Sequence, residues 1–160
     1  TIGRKSYSAV EGEAMTRRAH LGDIRLGMLE VAERDAASFE PLSRAYALPK
    51  GAPERTETLE KLLFAAAAAP METMELCMKA LPEIERMADI GSRLAVSDAG
   101  CAAVLCRAAL CAAALNVFAN TRLMSDREAA AELDVRVNAM LRIGCGMADR
   151  VFADVREMLV

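Results

Sequence analysis

The fold is decided by one stretch, Ser97–Met124, which reads SDAGCAAVLCRAALCAAALNVFANTRLM. It contains no proline, and its only glycine lies near its start. Because Ala and Leu are strong helix formers, the stretch predicts one helix, about 40 Å long at about 1.5 Å per residue. The helix is apolar nearly all round, which is typical of a helix buried on several sides. We therefore expect a bundle built around a buried central helix over 97–124.

A few polar residues interrupt this apolar helix. Asp98 and Asn116 are eighteen residues apart, or five turns of about 3.6 residues, so they share a face. Asn120, one turn beyond Asn116, lies close to the same face. Buried polar groups need hydrogen-bonding partners, and a substrate is one candidate. The alternative is that Asp98 caps the helix and the asparagines bond to neighbouring helices.

Composition favours an all-α, single-domain protein over residues 1–160. Hydrophobic residues make up 54% of the 160 positions, while aromatic residues make up only 4% and Trp is absent. Such a chain is poor in the residues that strands favour and long enough for one sizeable core. The net charge of −3 and the lack of a basic block argue against a nucleic-acid partner.

The rest of the chain divides into amphipathic segments. Leu48–Pro53 is a clear break, Gly91 reads as a helix stop, and Ser125 with Glu128 has the form of a capping box. Helices are predicted over Tyr7–Arg18, Ala19–Leu48, Glu54–Ala69, Met71–Ile90, and from Ser125 to about Met158, with Pro70 separating two of them. With the central helix, the expectation is a bundle of about five or six helices.

The five cysteines have no metal-ligand spacing, and the chain has a single histidine. We therefore expect no metal site. An odd number of thiols in an Ala-rich helical protein indicates reduced cysteines and a cytoplasmic location. A membrane span over 101–119 is disfavoured, because that segment holds Arg107 and Asn116 and consists mainly of alanine.

Asp35 is the strongest candidate for chemistry. It lies four residues from Val31 and four from Phe39, within a stripe of apolar residues at helical spacing, so we expect it to point into the core. A carboxyl group in apolar surroundings is costly to ionise, which suits a general acid or base. The alternative is a structural ion pair with a core arginine, such as Arg107 or Arg25.

A series of short motifs resembles the cyclodeaminase/cyclohydrolase family over essentially the whole chain. The motifs are Ile2-Gly-Arg-Lys-Ser-Tyr7, Asp35-Ala-Ala-Ser-Phe39, Ala45-Tyr-Ala-Leu-Pro-Lys50, Ala69-Pro-Met, Val96-Ser-Asp-Ala-Gly100 and Ala114-Leu-Asn-Val-Phe-Ala-Asn120. The family includes the C-terminal domain of formiminotransferase-cyclodeaminase and the stand-alone methenyltetrahydrofolate cyclohydrolases. Its N-terminal Gly-rich segment and Ala-rich helix are absent from this sequence.

The resemblance implies an all-helical homodimer with its active site near the subunit contact, acting on folate. It implies either interconversion of 5,10-methenyltetrahydrofolate with 10-formyltetrahydrofolate, or formation of the methenyl compound from 5-formiminotetrahydrofolate with release of ammonia. Asp35 takes the position of the catalytic acid. Tetrahydrofolate is substrate and carrier, and no other cofactor is needed.

The expected substrate contacts follow from the chemistry of folate. Arg4, Lys5 and Lys50 are candidates for its anionic glutamate tail, and Asp98, Asn116 and Asn120 for the amide edge of the pterin. Two other functions stay open. One is a non-catalytic helical interaction or scaffolding module that keeps the fold, and the other is a binder of small molecules with a Met-lined pocket.

Overall fold

The computed structural model describes residues 1–50 and 52–160, and that part of the chain contains helices and connections but no strand. The four long helices are α1 (Glu11–Tyr46), α2 (Pro53–Ile90), α3 (Val96–Thr121) and α4 (Arg127–Leu159). Single 3₁₀ turns lie at Lys5–Tyr7 and Arg93–Ala95. The all-α class is confirmed, but four long helices replace the five or six predicted.

The helix count differs because two predicted divisions do not occur. α1 runs through both Tyr7–Arg18 (from Glu11) and Ala19–Leu48 (to Tyr46), and α2 continues through Pro70 and Pro82. Proline removes one N–H and its helix bond. At Pro70 this loss is offset by packing, because the neighbouring Met71 and Met74 are 6% and 0% exposed in the core.

Successive helices run antiparallel, and α2 is the helix that packs on all three others. The Arg34–Glu72 ion pair joins α1 to α2, and Thr121 Oγ1 donates to Asp134 Oδ1 between α3 and α4. α3 packs on α2 and α4.

The prediction of a buried central helix is right for one side of α3 only. Its inner side holds Leu110 and Val117, both 0% exposed. Its outer side exposes Leu105 and Leu115 at 70% and 69%. Arg93–Thr121 contains an 18-residue window of mean hydropathy 1.9, so it is long and apolar enough to cross a membrane by length and composition alone, a property that core helices of soluble proteins share.

The predictions for the end of α2 and the start of α4 have different outcomes. Gly91 ends α2, and its N–H donates to the carbonyl of Met87. The cap of α4 is Asp126, not Ser125, because Asp126 Oδ1 accepts from the N–H groups of Glu128 and Ala129 at 3.1 and 3.0 Å. Either residue type suits a cap, and the sequence pattern favoured the wrong one of two neighbours.

One cluster of the core fixes the end of the bundle where α1 leads into α2 and α3 into α4. It contains Leu42, Leu63, Ala66, Met124 and Ala130. Because it joins α1, α2 and α4 to the α3–α4 connection, it ties α1 to the C-terminal end of α3 at this end of the bundle.

Candidate functional site

A groove of about 670 Å³ opens at this end of the bundle, with walls from α1, α2 and the C-terminal part of α3. We call it the α1–α3 groove. Its polar and aromatic lining residues are Asp35, Ser38, Phe39, Tyr46, Asn116, Asn120 and Arg122. The groove therefore brings together three of the seven predicted site residues, namely Asp35, Asn116 and Asn120.

Asp35 is exposed, so the prediction of its burial is wrong. The apolar spacing around Asp35 marks one face of α1, and α1 packs on α2. This face is larger than the area that α2 covers, so the part that carries Asp35 stays exposed. Phe39, one turn further, is 68% exposed for the same reason.

The carboxylate of Asp35 has no ion pair or hydrogen bond within residues 1–50 and 52–160. Its backbone carbonyl accepts a bond from Ser38 Oγ at 2.8 Å. The alternative of a core arginine partner fails at Arg107, whose guanidinium instead pairs with Asp149 at 2.9 Å. A carboxylate facing a groove without a partner can accept a proton from a bound molecule and return it.

The two asparagines form an i, i+4 pair on α3. Asn120 Nδ2 donates to the carbonyl of Asn116 at 3.0 Å, so part of its amide serves its own helix. The exposed Asn116 amide makes no bond in the described part of the chain. Among the described residues, neither asparagine bonds to a neighbouring helix. The alternative, in which both asparagines serve helix packing, required such bonds. An amide in a groove offers a donor and an acceptor side by side, which suits a heterocyclic amide edge.

Three other predicted residues lie at the opposite end of the bundle. Asp98 is in the first turn of α3, about 27 Å along the helix from Asn116. Arg4 and Lys5 lie near the α2–α3 connection, to which Tyr7 is tied because its hydroxyl accepts from the N–H of Arg93 at 3.3 Å. That bond is the main cause that lowers the pKa of Tyr7. Within one chain, these three residues do not join Asp35.

Lys50 lies in the α1–α2 connection, at the same end as the groove. It is exposed and is not one of the groove's lining residues.

Four of these polar and aromatic lining residues were not predicted as site residues, namely Ser38, Phe39, Tyr46 and Arg122. Phe39 and Tyr46 are 68% and 44% exposed, although their spacing placed them in the core stripe. They lie seven residues apart on α1, close to two full turns, so both side chains face the same way. Arg122 is exposed just beyond α3 and has no ion pair among the described residues. Its position two residues after Asn120 was the only available signal.

Two of the five thiols, those of Cys77 and Cys145, are poor candidates for cysteine catalysis. Contact with the Cys106 thiol, together with burial, raises the pKa of the Cys77 thiol. Burial and contact with Cys111 raise the pKa of Cys145. Because the thiolate is the nucleophile, raised pKa values keep these two sulfurs unreactive.

Residues 1–50 and 52–160 contain no group of three or more His, Cys, Asp or Glu side chains arranged to hold a metal.

Comparison with known proteins identifies the family of the chain. Residues 1–139 match the sequence profile described as formiminotransferase-cyclodeaminase. The methenyltetrahydrofolate cyclohydrolase of Methylorubrum extorquens is 28% identical, over 98% of this chain and 77% of its own length. The formimidoyltransferase-cyclodeaminase of Sus scrofa is 27% identical over 89% of this chain. It is a longer protein, and the matched part spans 27% of its length.

A solved structure shows the same fold. The formiminotetrahydrofolate cyclodeaminase of Thermotoga maritima superposes with a TM-score of 0.79 at 25% identity, covering 98% of this chain and 74% of the other. The profile match covers well over half of the sequence. The chain belongs to the formiminotransferase-cyclodeaminase family.

Proposed function

We propose that this protein is an enzyme of folate one-carbon metabolism that works on the bond between a one-carbon unit and nitrogen. Either it interconverts 5,10-methenyltetrahydrofolate and 10-formyltetrahydrofolate, or it forms the methenyl compound from 5-formiminotetrahydrofolate and releases ammonia. One observation carries the proposal, which is the unpartnered Asp35 carboxylate facing the same groove as the Asn116 amide. The names of the relatives supply the substrate class.

Asp35 is the proton shuttle in either reaction. In cyclohydrolysis, water attacks the carbon between N5 and N10 while the carboxylate takes a proton from the water. The hydroxyl group on that carbon then loses its proton to solvent, the carbon–N5 bond breaks, N5 receives the proton held by Asp35, and the formyl group stays on N10. In cyclodeamination, N10 attacks the protonated formimino carbon and loses its proton to Asp35, which then delivers this proton to the nitrogen that leaves as ammonia.

The other groups bind and orient the folate. The amides of Asn116 and Asn120 suit the donors and acceptors of the pterin edge. Phe39 and Tyr46 offer two exposed aromatic rings for its ring systems. Lys50, at the same end, suits a carboxylate of the glutamate tail.

The proposal includes a homodimer and a cytoplasmic location. The family resemblance supports the dimer, and the exposed outer side of α3 offers it a surface. The five free cysteines are in keeping with a reducing compartment.

The test follows the absorbance of methenyltetrahydrofolate as it is consumed, or as it forms from the formimino compound. Asp35→Asn keeps the side-chain shape and removes the proton shuttle, so we expect a loss of about a hundredfold or more in kcat. Asp23→Asn is the matched control, because Asp23 is also exposed on α1 but does not line the groove.

Two results would contradict the proposal. One is a folded wild-type protein that changes neither absorbance, which would favour the non-catalytic module. The other is an Asp35→Asn protein as fast as Asp23→Asn, which would remove Asp35 from the chemistry.

A further inference from the structure

Two thiols that the proposed function does not use meet where α3 packs on α4. Cys111 Sγ and Cys145 Sγ lie 3.6 Å apart, within hydrogen-bond distance for sulfur. The two residues are 34 positions apart in the sequence, so the packing of the helices brings them together. Both are free and half-buried, and neither lines the α1–α3 groove. They therefore form a dithiol outside the candidate folate site.

An ion pair holds the two helices in register beside the dithiol. Arg107 lies one turn before Cys111 on α3, and Asp149 lies one turn after Cys145 on α4. The Arg107 Nε atom is 2.9 Å from Asp149 Oδ1. Because the helices are antiparallel, the ion pair and the thiols lie at successive levels of the same α3–α4 contact.

Close packing of the two backbones completes the geometry. Leu110 and Gly144 each lie one residue before a cysteine of the pair, and an added Cβ at Gly144 would lie 2.5 Å from Leu110 Cδ2. The helices therefore approach closely at the level of the thiols. A disulfide requires its sulfurs to be about 2.05 Å apart, so the two sulfurs need to approach by only about 1.5 Å.

We propose that Cys111 and Cys145 are a reversible oxidation site that reduces a peroxide and closes a disulfide between α3 and α4. In a reducing compartment such a pair stays as thiols until an oxidant arrives, which is the behaviour of intracellular redox-sensing cysteines. This role does not depend on the proposed folate chemistry.

Cys111 is the thiol that reacts with the peroxide. Burial and contact with Cys111 raise the pKa of the Cys145 thiol, so Cys145 keeps its proton and donates it toward Cys111 Sγ. The Cys111 thiolate attacks one peroxide oxygen, the O–O bond breaks, and the released hydroxide takes up the proton that Cys111 lost. With hydrogen peroxide, the products are a sulfenic acid at Cys111 and one water.

The neighbouring thiol then completes the oxidation. Cys145 Sγ attacks the Cys111 sulfur, the S–O bond breaks, and the proton of Cys145 leaves with the hydroxide as a second water. The two thiols lose two electrons, and the peroxide gains them. The short separation makes this step intramolecular, which offsets the low thiolate fraction of Cys145. A small dithiol reductant reverses the reaction by thiol–disulfide exchange.

The other thiols are less suited to this reaction. Cys77 is 1% exposed, and Cys106 Sγ donates to its backbone carbonyl at 3.5 Å, so a peroxide has no access to Cys77. Cys101 is exposed, but it makes no hydrogen bond to a second thiol among the described residues. Within residues 1–50 and 52–160, access and a partner thiol coincide only at Cys111 and Cys145.

Peptide mapping tests the bond. Tryptic peptides 108–122 and 143–150 contain one cysteine each, Cys111 and Cys145. After a few equivalents of hydrogen peroxide, dilute wild-type protein should give the two peptides joined, lighter by two hydrogen atoms than their sum. This link should form at least tenfold faster than any other linkage between thiols, and dithiothreitol should remove it.

Single substitutions test the order of the steps. In Cys145→Ser, the sulfenic acid at Cys111 has no partner thiol, so dimedone should label peptide 108–122. In Cys111→Ser, peptide 143–150 should stay unlabelled. Cys101→Ser is the matched control, because it removes an exposed thiol of α3 away from the pair and should leave the link unchanged. Circular dichroism checks that each variant stays helical.

Thermal unfolding tests whether the bond clamps the helices. A bond between residues 111 and 145 closes a loop of about 35 residues and restricts the unfolded chain. Oxidation should therefore raise the unfolding midpoint of the wild type and of Cys101→Ser by about 10 °C, and dithiothreitol should reverse the rise. The midpoints of Cys111→Ser and Cys145→Ser should show no such rise.

Three results would overturn the proposal. One is a wild-type protein in which both cysteines stay open to alkylation by N-ethylmaleimide after peroxide treatment. Another is a link from Cys111 or Cys145 to a different cysteine that forms as fast as the link between them. The third is an unchanged midpoint once the bond has formed, since the bond would then not clamp the helices. None of these readouts depends on folate, so they fail or succeed separately from the folate assay.

Discussion

Gly144 lies where α4 packs against α2 and α3. A Cβ atom at this position would lie 2.5 Å from Leu110 Cδ2 and 2.8 Å from Met78 Sδ. We expect Gly144→Ala to lower the free energy of unfolding by about 1–3 kcal/mol, since a packed core tolerates added volume poorly.

Gly146, two residues later in α4, provides the control. Its added Cβ would meet nothing nearer than Arg150 Nη1 at 3.8 Å. Gly146→Ala should raise the free energy of unfolding by about 0.5–1 kcal/mol, because Ala is the better helix former. Urea unfolding measures both, and a change of the same sign in the two variants would contradict the packing described for Gly144.

Glu13 links the stability of the bundle to pH. Hydrogen bonds from Arg86 and then Arg17 lower its pKa from 4.5 to about 2. A carboxylate with a lowered pKa in the folded state stabilises the fold above its unfolded pKa, and this contribution is lost as the pH falls from about 5 to about 2. Wild type should therefore unfold at a higher temperature than Glu13→Gln at neutral pH, with a difference that shrinks toward pH 2.

Glu33→Gln is the control for Glu13, because Glu33 is exposed and has no ion pair among the described residues. Thermal unfolding followed by circular dichroism at a series of pH values gives the comparison. A Glu13→Gln difference that stays constant across this range would show that the ion pairs do not produce the acid sensitivity.

Much of the groove's polar lining was predictable from residue type and spacing. Asp35 and the two asparagines stood out as polar interruptions in apolar helices, and all three line the groove. Phe39 and Tyr46 could not be assigned, because helical spacing shows that residues share a face but not whether another helix covers it. Their exposure depends on the position of α1, whose main contacts are with α2 alone.

At the scale of the helix, α4 depends on its cap. Asp126 Oδ1 accepts from two N–H groups of the first turn, so Asp126→Ala should lower the free energy of unfolding by about 1 kcal/mol. Ser125→Ala should change it little, because the bond at Ser125 is made by its backbone N–H to Glu60 Oε2. Urea unfolding distinguishes the two, and a larger loss for Ser125→Ala would restore the capping box predicted from the sequence.

The sequence predicted helix boundaries correctly at the connections between helices, but not at a proline inside a helix. The stop at Gly91 is confirmed, and so is the break at Leu48–Pro53 on both sides of Gly51, which lies outside the described residues. Pro70 looked equally strong as a boundary, yet α2 passes through it. The difference lies in tertiary packing, because Ala67 before Pro70 and Met71 after it both lie in the core, and contacts with three other helices are not visible in a local pattern.

At the scale of the whole molecule, Ser97–Met124 contains more apolar residues than a single chain buries. The sequence indicated burial on several sides, and the folded chain buries one side of α3 against α2 and α4. The exposed apolar residues on the other side of α3 follow the three-and-four spacing of a coiled coil. The homodimer proposed above would use these exposed residues of α3 as its surface.

This explanation makes stability depend on protein concentration. If folding and α3 pairing are coupled, mass action raises the midpoint of thermal unfolding with concentration. For a dimer of this size we expect about 2 °C for each tenfold increase in concentration. Leu105→Glu should abolish the dependence and unfold at a lower temperature than concentrated wild type, whereas Val135→Glu should keep it. Differential scanning calorimetry over a hundredfold range measures the slope, and a wild-type midpoint independent of concentration would mean that α3 pairing adds nothing to the stability of the fold.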